Sequence, residues 1–185
     1  MKKISIFALS CALFLCPTFA EKNIMFGDKI NSITVYGAQS TGSGSLLKLI
    51  YPGEWEISPQ TLFMAQYSQP IQFFRLDSRL NLNVGQNLAY NSSRGLSFAG
   101  IGISIDTALL QYQDWYFGIG IGPFMRDYMD DWVGSRLVFG EKVFVGKHFS
   151  DNWFGEIFTI HFSNGNFTPN NVGFNFVGIG VGYKF

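Results

Sequence analysis

The chain predicts an all-β fold: an eight-stranded antiparallel transmembrane β-barrel of the bacterial outer membrane. Three observations carry that expectation. Hydrophobicity alternates with period 2 over most of the length, and no segment beyond the N-terminus has a helical period. Aromatic residues make up 17% of the chain and glycine is abundant, whereas charged residues reach only 14%, the balance expected of strands that face lipid. The third observation is an export signal in front of the strands.

That signal is M-K-K-I-S-I-F-A-L-S-C-A-L-F-L-C-P-T-F-A, residues 1–20. Lys2 and Lys3 supply the basic start, Ile4 to Leu15 the apolar stretch, and Thr18-Phe19-Ala20 a small-residue cleavage site. The apolar stretch is too short to span a bilayer as a helix. Cys16 invites a lipoprotein reading, but bulky Leu15 stands where a small residue is needed, so cleavage after Ala20 is expected. Residues 21–185 then form a single barrel domain. Cleavage removes Cys11 and Cys16, the only cysteines, which excludes disulfides and thiolate metal sites from the mature chain. It also removes two of the 13 basic residues and none of the 13 acidic ones. The slightly acidic remainder lacks the basic footprint of a nucleic-acid binder.

I-T-V-Y-G-A-Q, from Ile33, is the first expected strand, and S-L-L-K-L-I-Y, from Ser45, the second. The segment between Pro52 and Pro70 is open: T-L-F-M-A-Q-Y-S can extend the second strand, begin the third or lie at the interface. From Phe73, F-F-R-L-D-S-R-L-N-L-N-V puts Arg75, Asp77, Arg79, Asn81 and Asn83 on one face. Its other face is apolar, as a polar lumen and a lipid exterior require. L-S-F-A-G-I-G-I-S-I-D, from Leu96, and W-Y-F-G-I-G-I-G-P-F, from Trp115, are the fourth and fifth strands, with a small-residue face suited to a narrow interior. R-L-V-F-G-E-K-V-F-V-G-K-H-F, W-F-G-E-I-F-T-I-H-F-S and G-F-N-F-V-G-I-G-V-G-Y-K-F complete the set. A soluble β-sandwich or lipocalin-like barrel is the competing fold. Against it, the last strand carries Val177, Ile179, Val181, Tyr183 and Phe185 on one side and glycines on the other. An apolar stripe ending in a terminal Phe resembles the insertion signal of outer-membrane proteins.

Parity picks out the chemistry. Odd-numbered residues of the last strand face lipid, Asn175 among them; on the seventh, Glu156 marks the even side as lumen, because a carboxylate facing lipid is costly. His161 and Ser163 then share the outer surface with Asn175. In an even-stranded barrel with periplasmic termini, the seventh strand ends at the extracellular rim. An imidazole and a hydroxyl at outer-leaflet height suit nucleophilic catalysis, in which histidine takes the serine proton and a third group fixes its tautomer. Asn164, with the backbone N–H groups of the Asn164-Gly165-Asn166 turn, can furnish an oxyanion hole. Standing alone, H-x-S at a strand end is more often an ordinary rim pair. His148, at the end of the sixth strand, reads as an interfacial residue. Arg94 and Arg126 fall near extracellular loops, where they can meet phosphates or simply be solvated. Neither an elbow motif, a phosphate loop, a dinucleotide fingerprint nor a His-rich metal motif occurs.

H-F-S-N-G-N-F-T-P-N-N-V-G-F-N resembles the signature of the lipid A 3-O-deacylases, PagL-type outer-membrane enzymes, and the match runs from about residue 114 to 185. The resemblance implies an eight-stranded barrel that hydrolyses the 3-O-linked hydroxyacyl chain of lipid A with no metal or other cofactor. It implies Ser163 as nucleophile, His161 as general base, and Asn164 with the N–H of Gly165 or Asn166 as oxyanion donors. It also implies a third member at Asn175, where the best-known relatives carry Glu; either the site tolerates the amide, or another acid helps, with Glu141 and the inward-pointing Glu156 as the ones to check, or activity is low. Lipid A and membrane lipids are the expected partners, and a homodimer is compatible with the scaffold. The alternatives are a non-enzymatic small barrel, structural or adhesive, with a degenerate site, and a phospholipid-directed esterase.

Overall fold

The computed structural model describes residues 23–45, 52–90 and 97–185. The export signal, both cysteines, Arg94 and all but the first residue of the stretch expected as the second strand lie outside the described residues. Eight strands form one closed barrel in sequence order: β1 (Ser32–Ser43), β2 (Gln60–Phe73), β3 (Leu76–Ala89), β4 (Phe98–Tyr112), β5 (Trp115–Arg126), β6 (Leu137–His148), β7 (Trp153–Ser163) and β8 (Phe174–Lys184). Every neighbouring pair is antiparallel, and β1 closes against β8, so no edge is left for lipid to meet. Each strand is at least as long as the ~9–11 residues a tilted strand needs to cross a bilayer. No helix among the described residues is long and apolar enough to cross one.

Two sequence expectations change. β1 pairs directly with Gln60–Phe73, so T-L-F-M-A-Q-Y-S is the core of the second barrel strand itself, neither an extension of the stretch from Ser45, nor the start of the third strand, nor an interfacial piece. Its alternation is faint because inward-facing Leu62 and Met64 are themselves apolar and buried. The third strand also starts later than expected. Phe73 pairs with Leu76, and Phe74 and Arg75 form the two-residue turn, both at positive φ (49° and 67°). That is the primed hairpin geometry usually given to Asn-Gly, and neither residue advertises it. Arg75 therefore belongs to a turn and not to the lumen face.

The lumen is packed rather than open. Arg79 donates to Asp106 Oδ2 from Nε and Nη2 at 2.9 and 2.7 Å and lies 2.9 Å from Glu156 Oε1. Tyr36 and Tyr116 each donate a hydroxyl to Glu156, at 2.7 and 2.8 Å, and Lys142 pairs with Asp106. The glycine faces of β5, β6 and β8 make room for these side chains. A Cβ at Gly146 would stand 2.0 Å from the Tyr116 ring, and one at Gly180 would stand 2.4 Å from the Tyr36 ring. Glu156 thus points inward, as parity requires.

The two ends of the barrel differ. Tight turns join β2–β3, β4–β5 and β6–β7 at the end that holds the chain termini, and longer connections join the strands at the other. Short periplasmic turns and longer outer loops orient the barrel. At the periplasmic mouth, residues 23–27 fold inward, with Met25 and Phe26 buried. Asn23 Nδ2 donates to Ser78 O at 3.0 Å, and Ile24 N to Asp77 Oδ2 at 3.0 Å. His148, expected only as an interfacial residue, helps anchor this plug: its Nε2 lies 3.0 Å from Ile24 O, and its ring packs on Tyr116.

Candidate active site

β7 alternates strictly. Glu156, Phe158, Ile160 and Phe162 enter the lumen, while Ile157, Thr159, His161 and Ser163 face out. The register sets Glu141 of β6, His161 and Asn175 of β8 in one row across the outer wall, with Phe139 opposite Ser163 one step nearer the rim. His161 Nδ1 and Asn175 Oδ1 are 2.7 Å apart. An amide oxygen only accepts, so Nδ1 carries the hydrogen and Nε2 keeps its lone pair. β1 has a register shift between Ser40 and Gly42, where Gly42 pairs with Asn175. Bulges of this kind recur beside functional sites because they re-aim a side chain.

Although these residues point outward, His161 is 6% exposed, Ser163 8% and Asn175 0%. Two outer connections meet above this end of β7. The first, 164–173, opens with a type I′ turn: Gly165 and Asn166 have φ of 64° and 62°, and Phe167 N donates to Asn164 O at 3.3 Å. The second, 127–136, is organised by Asp130, which accepts from Arg126 Nη1 and from the backbone N–H groups of Trp132 and Val133. The two are tied together. Val172 N donates to Trp132 O at 2.9 Å, and Asn164 Nδ2 donates to Val133 O and to Thr168 Oγ1.

Asn164 therefore has a different place from the one expected. Its side-chain amide is spent on Val133, Thr168 and Asn170, and its backbone N–H on Asn171 Oδ1, so it clamps the loop and leaves no donor for an oxyanion. The Gly165 and Asn166 N–H groups, in contrast, find no acceptor among the described residues, and both residues are exposed beside Ser163. Arg126 is also corrected. It is buried, bonded to Asp130 and the Ser135 carbonyl and stacked between Phe98 and Phe174, so it cannot meet a phosphate in solvent. Glu156 is bound into the lumen network, away from His161. Ser163 Oγ makes no hydrogen bond to the imidazole, although the two share a face.

Gly173 is a site residue that sequence reasoning missed. It has φ of 68°, and a Cβ there would lie 2.6 Å from His161 Cε1 and 3.2 Å from Nε2. The imidazole rests on this glycine, which only a residue without a side chain permits. Its position two before Asn175, just ahead of a strand, was the available signal.

An eight-stranded outer-membrane barrel with a histidine–amide pair and a serine on its outer wall, under the rim, defines the class of protein. The family model described as lipid A 3-O-deacylase (PagL) matches residues 60–184, and the chain belongs to that family. Solved structures bear out the fold. The crystal structure of the outer-membrane enzyme PagL superposes with a TM-score of 0.55 at 15% identity, covering 80% of this chain and 97% of that one. The N-terminal barrel domain of Pseudomonas aeruginosa OprF gives 0.58 at 12% identity, covering 85% and 98%. Neisserial surface protein A gives 0.55 at 14%, covering 84% and 97%. No curated protein sequence matches the chain.

Proposed function

We propose that this protein is an outer-membrane serine esterase that hydrolyses the 3-O-linked hydroxyacyl chain of lipid A, with Ser163 as nucleophile and His161 as general base. The observation that carries the reading is the 2.7 Å contact between His161 Nδ1 and Asn175 Oδ1, two residues from Ser163 on the same lipid-side face. Membership of the deacylase family supports the substrate class. With Nδ1 protonated, Nε2 takes the Ser163 proton as Oγ attacks the ester carbonyl. The N–H groups of Gly165 and Asn166 receive the oxyanion. The imidazolium then gives its proton to the departing sugar oxygen, leaving an acyl-serine. Water attacks that ester, loses a proton to His161 and releases the hydroxy acid, and the proton returns to Ser163. The absent Ser163–His161 hydrogen bond does not argue against this order, because catalytic contacts often tighten only when substrate binds.

The second reading, a barrel that kept the scaffold without the chemistry, is compatible with the same gap. Incubating the purified, folded protein with lipopolysaccharide and, separately, with phospholipid separates the readings. Release of a hydroxy fatty acid from lipopolysaccharide alone, abolished in Ser163→Ala, is the expected result. No release from either substrate would establish the non-enzymatic barrel, and release from phospholipid would redirect the substrate. Export by residues 1–20 and folding of residues 21–185 as one domain belong to the same proposal. Sequencing the mature N-terminus is expected to start at Glu21.

A further inference from the structure

Asn175 leaves a charge unanswered. When His161 accepts the serine proton the ring becomes a cation, and an amide oxygen offers a dipole but no counter-charge. The surroundings hold few candidates. The connection 164–173 contains no acidic or basic residue, and the β1 neighbour of Asn175 is Gly42; Glu56 packs its backbone and Cβ against that glycine, but it is an exposed residue in contact with solvent. Of the three acids on the connection 127–136, Asp127 accepts from Ala99 N, Asp130 is occupied by Arg126 and the loop backbone, and Asp131 is exposed to solvent. On β6, however, the residue directly opposite His161 in the ladder is Glu141, on the same outward face. Cβ atoms of such a pair stand roughly 5 Å apart. Its Oε2 is buried and has no hydrogen-bond partner among the described residues. A carboxylate on the outer wall of a barrel is costly, and one with an unpaired buried oxygen more so.

We propose that Glu141 is the counter-charge of this site: Asn175 sets the imidazole tautomer, and the Glu141 carboxylate stabilises the imidazolium from across the strand pair. This rests on the serine esterase reading above. The division of labour explains the unpaired oxygen. Its partner charge exists only while His161 holds the serine proton, so the interaction is stronger in the transition state than in the resting protein, which is what accelerates a reaction. Glu141 acts through His161 and is a positioning residue. Neutralising it is expected to lower kcat by about ten- to a hundredfold, the scale of one unit charge at this separation in partly desolvated surroundings.

The test compares kcat and KM on lipopolysaccharide for wild type, Glu141→Gln, Glu141→Asp, Asn175→Asp, the double variant Glu141→Gln/Asn175→Asp, and Ser163→Ala, each checked for folding by heat-modifiable gel mobility. Glu141→Gln is expected to lose kcat with KM unchanged, and Glu141→Asp to fall between it and wild type. Adding Asn175→Asp to Glu141→Gln is expected to restore most of the rate, because the charge returns at the other side of the ring. A structural role for Glu141 would not be rescued in this way. Wild-type kcat in Glu141→Gln, or a loss that Asn175→Asp leaves unrepaired, overturns the proposal while the esterase reading stands. Activity retained in Ser163→Ala overturns both.

Discussion

Glu156 and His161 lie a few residues apart on one strand and face opposite surroundings. In the lumen Glu156 is answered completely: two tyrosine hydroxyls and Arg79 hold it, and Asp106 ties Arg79 to Lys142. On the outer wall polar groups are shielded but under-supplied. Among the described residues Asn175 Nδ2 and Glu141 Oε2 have no hydrogen-bond partner, and the N–H groups of Gly165 and Asn166 find no acceptor. Asn81 and Asn83 in the lumen also keep an unbonded oxygen and inward-turned Arg126 an unbonded Nε, so the contrast concerns the carboxylates Asp106 and Glu156 against Glu141 rather than every polar atom. Closed charge networks fix a fold, whereas unanswered groups at a reactive height are available to a substrate.

The comparison can be broken at both ends. The largest effect is expected at the outer wall: Ser163→Ala should cut the rate about a thousandfold or more with the barrel intact, measured as hydroxy acid released per folded molecule. The lumen should behave in the opposite way. Arg79→Met strands Asp106 and Glu156 in the interior, so it should cost about 3–5 kcal/mol in thermal unfolding while the rate per folded molecule stays at the wild-type value.

Smaller changes sharpen the boundary. Asn164→Ala removes the clamp between the two outer connections, about 1–3 kcal/mol of lost hydrogen bonding. Hydrogen exchange should show faster exchange across 164–173 together with a falling rate. A pure oxyanion donor would lose rate with the loop protection unchanged. Gly173→Ala should be the mildest in stability, about 1 kcal/mol for a side chain at positive φ. It should still lower kcat several-fold, because the new methyl would stand 2.6 Å from His161 Cε1.

The legible parts of this molecule are those where alternation and chemistry agree. β5 to β8 pair apolar and glycine positions cleanly, so parity carries His161, Ser163 and Asn175 to one surface without coordinates. β2 was hidden because Leu62 and Met64 fill the lumen with apolar groups, and because the Phe74-Arg75 turn uses neither Gly nor Asn. The loop clamp was hidden for a different reason. Asn164 has the composition of an oxyanion donor, and only the fold brings Val133 and Thr168 to its amide. Arg126 resembled a solvated loop cation until the strand register turned it inward against Asp130.

The most direct test of the outer-wall account is the mass spectrum of lipid A from a lipopolysaccharide-producing bacterium that expresses this chain. The account predicts lipid A lighter by one hydroxyacyl group with the wild type and full-length lipid A with Ser163→Ala. Lipid A left unchanged by the wild type, or shortened equally by Ser163→Ala, would contradict it.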